Sequence, residues 1–264
     1  MPSIAITFTV IGDSAAFGTG DFDAEGNPRG WAHYLSQAFE APCHYFNFSR
    51  PGAKSADVKE IQLPRAIETN PDICAVIVGG NDMLRNGFDP LALYENIKNT
   101  TLELMSRGTE IIMIELHDPG QILRVPRLLK RVIRRRVNAV NNVYYKIADE
   151  LDIVLIHTRK IPDVHSLRNW HIDRMHPGPY GHQILAREMA NELQLRGWEL
   201  DLPEITHNDI ESKAEKIIWL IRRGAPWFLK RSVDLLPVAL ILMALESIRV
   251  VIEILASLIR GGTR

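Results

Sequence analysis

The sequence predicts an α/β domain with a parallel, doubly wound sheet and an amphipathic helical extension at its C-terminal end. Three observations carry this. Short aliphatic runs of strand composition recur along the first 160 residues, the stretches between them are long enough for a crossover helix, and glycine-rich polar turns follow the runs.

The runs are Ile4 to Ile11, Tyr45 to Phe48, Ile73 to Val78, Ile111 to Leu116 and Ile153 to Ile156. They are apolar at consecutive positions rather than alternating, which implies strands covered on both faces by helices. The expected architecture is therefore a flavodoxin-like sheet of about five parallel strands. In such a sheet the ligand crevice lies beyond the carboxyl ends of the strands. Gly12-Asp13-Ser14 follows the first run, Gly52 the second, Gly79-Gly80-Asn81-Asp82 the third and His117-Asp118-Pro119-Gly120 the fourth. All four point to one edge. Pro177 and Pro179 precede a helical pattern from about Tyr180 to Leu195, with Ile184, Leu185, Met189 and Leu193 on its apolar side.

The chain has 264 residues and 46% hydrophobic content, enough for one large core with an appendage. The expected division is residues 1–200 as the α/β domain, 201–231 as a linker with a basic and aromatic segment, and 232–264 as an apolar helix. A formal net charge of -1 argues against a general nucleic-acid binder. Cys43 and Cys74 are too few for a disulfide framework, and Cys74 sits in an apolar run as a buried thiol, which points to a reducing compartment. Met1 to Ala5 shows no basic region or cleavage-like break, so a cytoplasmic protein without a signal peptide is expected.

Taken singly, each glycine block reads as a turn. Their placement at strand ends changes this. A serine at the mouth of a parallel strand exposes its hydroxyl at the crevice and keeps its own amide available as a donor. Gly52 is a position where backbone can closely approach a reacting oxygen, and the Asn81 amide can donate to an oxyanion without carrying charge. In Trp170-His171-Ile172-Asp173-Arg174-Met175-His176, Asp173 precedes His176 by three residues, so the carboxylate can hold one ring nitrogen while the other faces the crevice. A metal held by His171, Asp173, His176 and His165 is a weaker alternative, because no His-Glu-x-x-His or comparable pair is present.

The four blocks in this order resemble the SGNH (GDSL-type) hydrolase family of esterases and lipases. Its namesake residues fall on Ser14, Gly52, Asn81 and His176, with Asp173 matching the triad aspartate. Arg29-Gly30-Trp31-Ala32, Asp118-Pro119-Gly120 and Gly181-His182 add to the likeness, which covers roughly residues 5 to 200. Ala15 stands where the GDSL name has leucine. The resemblance implies Ser14 as nucleophile, His176 as base and Asp173 as its orienting carboxylate. An oxyanion hole from Ser14, Gly52 and Asn81 is implied too, with no metal or organic cofactor.

Two segments lie outside these motifs. Arg124, Arg127, Lys130, Arg131, Arg134, Arg135 and Arg136 form a basic run interleaved with Leu128, Leu129, Val132 and Ile133. It reads as a solvated helix face or as a surface for anionic headgroups. Beyond the basic-aromatic stretch containing Trp219 and Trp227, residues from Leu235 to Ile259 turn strongly apolar. Glu246, Arg249 and Glu253 near the middle cost roughly +9 kcal/mol on membrane-insertion scales against roughly -8 from the aliphatics, so spanning is marginal. Glu246, Arg249, Glu253, Ser257 and Arg260 share one narrow stripe, leaving a wide apolar face. Its candidate partners are a bilayer interface, met through residues 215 to 260 at the inner face of the membrane, another subunit or the domain's own surface, and a spanning anchor. Three functions stay open: an esterase acting through an acyl-enzyme, on a substrate that could be lipid-derived; an acyltransferase using the same intermediate; and a membrane-associated binding protein with a vestigial site.

Overall fold

The computed structural model describes residues 5–206, 237 and 240–252, which fall into two compact units. The first comprises 5–117 and 137–206, and the second 118–136 with 237 and 240–252.

The first unit is built on five parallel strands: β1 (Ile6–Gly12), β2 (Cys43–Asn47), β3 (Ile73–Ile77), β4 (Glu110–Ile114) and β5 (Val154–Ile156), in the order β2-β1-β3-β4-β5. This is the expected flavodoxin-like sheet, with strand ends shifted by one or two residues from the apolar runs. The helices are α1 (Ser14–Phe17), α2 (Gly30–Ser36), α3 (Ser55–Asp57), α4 (Leu63–Glu68), α5 (Gly80–Met83), α6 (Pro90–Met105), α7 (Arg127–Glu150) and α8 (Pro179–Leu195). A π-turn, Val58–Gln62, joins α3 to α4. Residues 127–136 of α7 belong to the second unit and 137–150 to the first.

Alternate side chains of each strand go to opposite faces. Phe8, Val10, Ala75, Ile77, Ile112 and Ile114 pack on Trp31 and Leu35 of α2 and on Ala186, Met189 and Leu193 of α8. The opposite set, Thr9, Ile11, Cys74, Val76, Ile111 and Met113, is equally buried, with α4 and α6 on that side of the sheet. Strand β2 departs from the expected two-sided cover. It is an edge strand paired only with β1, and Phe46 is 39% exposed. That surface is finished by stacking of Phe46 on Phe48 and by the Arg65 guanidinium over the Phe48 ring.

Where the strands end and their chains diverge, backbone groups lose their ladder partners. Three side chains replace them. Gln62 accepts from Gly12 N at 2.6 Å and donates to Gly12 O at 3.0 Å. The Tyr144 hydroxyl accepts from Val78 N at 3.1 Å and donates to Val78 O. Asn141 accepts from Leu116 N and donates to Leu116 O, both at 2.8 Å. Each clamp holds both polar groups of one residue at or just past the end of β1, β3 or β4. The π-turn ends at Gln62, and Asn141 and Tyr144 lie on one face of α7 with Val137, Val140 and Ile147.

The turn after β1 also contains an electrostatic cost. Asp13 caps α1, its Oδ1 accepting from Ala15 N at 2.9 Å, but the carboxyl is buried. Burial raises its pKa from the ordinary 3.8 to about 6, with the Asp82 charge adding to the rise and the Ala15 amide and His176 opposing it.

Two measurements follow from this frame. Gln62→Leu leaves the buried Gly12 N–H without an acceptor and is expected to lower stability by about 1–3 kcal/mol, seen as a lower urea midpoint at unchanged m-value. Asp13 ionises near 3.8 when unfolded and near 6 when folded, so native stability falls as pH rises between those values. Asp13→Asn keeps a capping oxygen and is expected to stabilise the protein by up to about 3 kcal/mol at neutral pH. Urea melts across the acid range should show that gain shrinking to nothing as pH falls from about 6 to about 4, in line with the proton linkage.

Candidate active site

The strand order places a switch point between β1 and β3, since the chain leaves β1 for β2 and returns to β3 on its other side. Ser14 follows β1 and Asn81 follows β3, so both blocks stand at this crevice. Gly12 is needed for the close approach of the two strand ends: its φ is +149°, and a Cβ there would meet Ile77 O at 2.0 Å. Asp13 N then donates to the same Ile77 O at 3.0 Å, and Ser14 opens α1.

This short helix is pinned from its far side. Trp31 Nε1 donates to Ala15 O at 2.8 Å, and Asn47 Nδ2 donates to Ala16 O at 3.1 Å. The Trp31 amide donates to His182 Nδ1 at 3.1 Å, so that nitrogen is unprotonated, and His182 Nε2 donates to Thr19 O at 3.1 Å. Burial lowers the His182 pKa to about 4, keeping the imidazole in this neutral tautomer. The Gly30-Trp31 and Gly181-His182 pairs noted in the sequence thus hold the serine turn.

Gly52 and Asn81 are tied to the same turn by backbone. Arg50 N donates to Gly12 O at 3.1 Å, and Gly52 follows with a φ of +88°. Asn81 Nδ2 donates to Ala53 O at 3.1 Å, which fixes the amide while using one of its two hydrogens. Behind it Asp82 accepts from the Ser55 amide and from Ser55 Oγ, the latter at 2.7 Å.

His176 comes from the loop before α8. An antiparallel bridge between Trp170 and Pro177 closes this loop, and His171 N donates to His176 O at 2.9 Å. Inside it Asp173 Oδ1 accepts from Met175 N at 2.9 Å and His176 N at 3.1 Å, while Arg174 takes a φ of +57°. Asp173 Oδ2 lies 2.8 Å from His176 Nδ1, and His176 Nε2 lies 2.7 Å from Ser14 Oγ. Burial alone would raise the Asp173 pKa, but the neighbouring His171 and His176 imidazoles and the Met175 amide hold it well below the usual carboxylate range. An ionised carboxylate only accepts, so the proton resides on His176 Nδ1. His176 Nε2 is then the acceptor for the Ser14 hydroxyl. This arrangement can remove a proton from Ser14 and stabilise the resulting imidazolium.

Two further groups were not assigned from sequence. His171 Nδ1 lies 3.3 Å from Asp173 Oδ2, so the carboxylate has imidazoles on two sides. In sequence the His-x-Asp spacing suggests only a metal pattern. His117, just beyond β4, packs on Trp170 with ring centroids 3.8 Å apart and the planes tilted by 36°. Burial first, then the neighbouring His165 and His176, lowers its pKa to about 3, so it is neutral. Among the described residues no group of three His, Cys, Asp or Glu side chains is arranged to hold a metal ion.

Known structures with the same fold include TesA, at 22% identity and a TM-score of 0.57, covering 72% of this chain and 98% of that one. An acetylxylan esterase from Geobacillus stearothermophilus aligns at 21% identity and a TM-score of 0.56, covering 71% and 94%. An alpha/beta hydrolase enzyme from the metagenome of Lake Arreo, Spain, aligns at 16% and 0.58, covering 74% and 98%. No curated protein matches the chain by sequence. The model of the GDSL-like Lipase/Acylhydrolase family matches residues 10–184, a span that contains the serine, glycine, asparagine and histidine blocks. The chain belongs to that family and is a serine hydrolase acting on ester bonds.

Proposed function

We propose that the protein cleaves a carboxylic ester through a covalent acyl-enzyme formed on Ser14. The continuous relay from Ser14 Oγ through His176 to Asp173 carries this reading. Ser14 Oγ attacks the ester carbonyl as His176 Nε2 takes its proton. The carbonyl oxygen becomes an oxyanion that receives hydrogen bonds from the Ser14 and Gly52 amides and from the second hydrogen of the Asn81 side chain. Collapse expels the alkoxide, which takes the proton from His176 and departs as the alcohol. Water then attacks the acyl-serine, His176 accepts its proton, and the acid is released with Ser14 regenerated. Asp173 remains ionised throughout and stabilises the imidazolium. His171, with Nδ1 3.3 Å from the same oxygen, helps to keep the carboxylate ionised.

Ser14→Ala is expected to abolish turnover of a short p-nitrophenyl ester and labelling by a fluorophosphonate; retained turnover would overturn the assignment of the nucleophile. Asn81→Ala is expected to lower kcat about 100- to 1,000-fold with a much smaller change in KM, the usual loss for one oxyanion donor. An equal loss expressed only in KM would remove Asn81 from the oxyanion hole. Product analysis with added methanol separates acid release from transfer to the alcohol, and acid is expected to dominate.

A further inference from the structure

In the second unit, residues 240–252 form a helix that is reversed relative to an ordinary surface helix. Leu240, Ile241, Leu245, Ile248, Val251 and Ile252 are each 54–59% exposed. Their spacings of three, four and seven place them along one side of the helix. Glu246 is the residue turned inward, at 4% exposure. Its carboxylate pairs with Arg135 of α7 and lies 3.7 Å from Arg131 Nε. Sequence alone grouped Glu246 with Arg249 on one polar stripe, and the structure divides them, with Glu246 buried and Arg249 exposed. Glu253, Ser257 and Arg260, the rest of that stripe, and Trp219 and Trp227 of the basic-aromatic stretch lie outside the described residues.

The inversion has an electrostatic cause. Turning the aliphatic side inward would carry the Glu246 carboxylate away from both Arg131 and Arg135. The outward aliphatic stripe is therefore a feature of the folded unit. Arg124, Arg127, Arg131 and Arg134 are exposed in the same unit, and its described acidic residues are only Asp118 and Glu246.

We propose that this unit docks on an anionic lipid bilayer, with the stripe of residues 240–252 entering the acyl boundary and the arginines of 124–136 meeting headgroup phosphates. Charge complementarity selects this occupant. Residues 118–136 and 211–264 carry 16 Lys and Arg against 6 Asp and Glu, so a second copy would add like charge, whereas anionic headgroups neutralise it. In this arrangement the helix lies in the interface plane, with the aliphatic stripe on the bilayer side and Glu246 on the side of α7.

Flotation of the full chain with vesicles tests this without using ester hydrolysis, so it stands or falls separately from the Ser14 reading. Phosphatidylcholine vesicles containing about one-third phosphatidylglycerol are expected to carry the protein at least ~10-fold better than phosphatidylcholine alone, with the difference shrinking as salt shortens the Debye length. Replacing Leu245 and Ile248 together by Ser should reduce flotation by ~10-fold or more while the far-UV circular dichroism stays native. If that pair unfolds the chain, Ile241→Ser with Val251→Ser is read in the same way. Equal binding to both vesicle types, or unchanged flotation of the folded variants, overturns the proposal. So does a protein that ignores vesicles but forms a dimer dissolved by these substitutions, which would assign the stripe to a second copy.

Discussion

The site depends on how the parallel sheet ends. Strands β1, β3 and β4 must part at their carboxyl ends to open a crevice, and parting leaves amide and carbonyl groups buried without ladder partners. Gln62, Tyr144 and Asn141 each take both groups of one residue, so the sheet can stop at Gly12, Val78 and Leu116 without a solvation penalty. Gly12 gains most from this, since its carbonyl also receives the Arg50 amide that leads into the Gly52 turn. One residue thus joins the end of the sheet, the serine turn and the glycine block.

Asp173 plays the corresponding part on the other wall of the crevice. One of its oxygens shapes the loop by accepting two backbone amides, and the other orients His176 and faces His171. Structure and charge are served by the same carboxylate, which explains why this loop tolerates a non-glycine residue, Arg174, at positive φ. Asp13 shows the opposite balance. It is a cap held in a buried position that favours the neutral acid, a local electrostatic cost beside Ser14.

The second unit follows a different physical rule. A normal amphipathic helix hides aliphatic groups and exposes charge, because water solvates the charge and the core receives the aliphatics. Here a cluster of arginines on α7 makes the reverse arrangement favourable by drawing Glu246 inward. The same helix leaves Arg127, Arg131 and Arg134 exposed.

The apolar runs, their spacing and the glycine turns at their ends determined the doubly wound sheet and the chain order of Ser14, Gly52, Asn81, Asp173 and His176. These are local patterns, written in consecutive residues, and a parallel sheet converts them into positions along one edge. Tertiary structure alone decided that Gln62, Asn141 and Tyr144 close the strand ends. Nothing near those residues in sequence marks their partners, which lie 25 to 66 positions away. It also decided the one-sided burial of β2, because edge position is a property of strand order and is invisible in a single run. The direction in which the C-terminal helix faces was open for the same reason: a helical wheel shows which residues share a side, but only the arginines brought opposite Glu246 fix which side is buried.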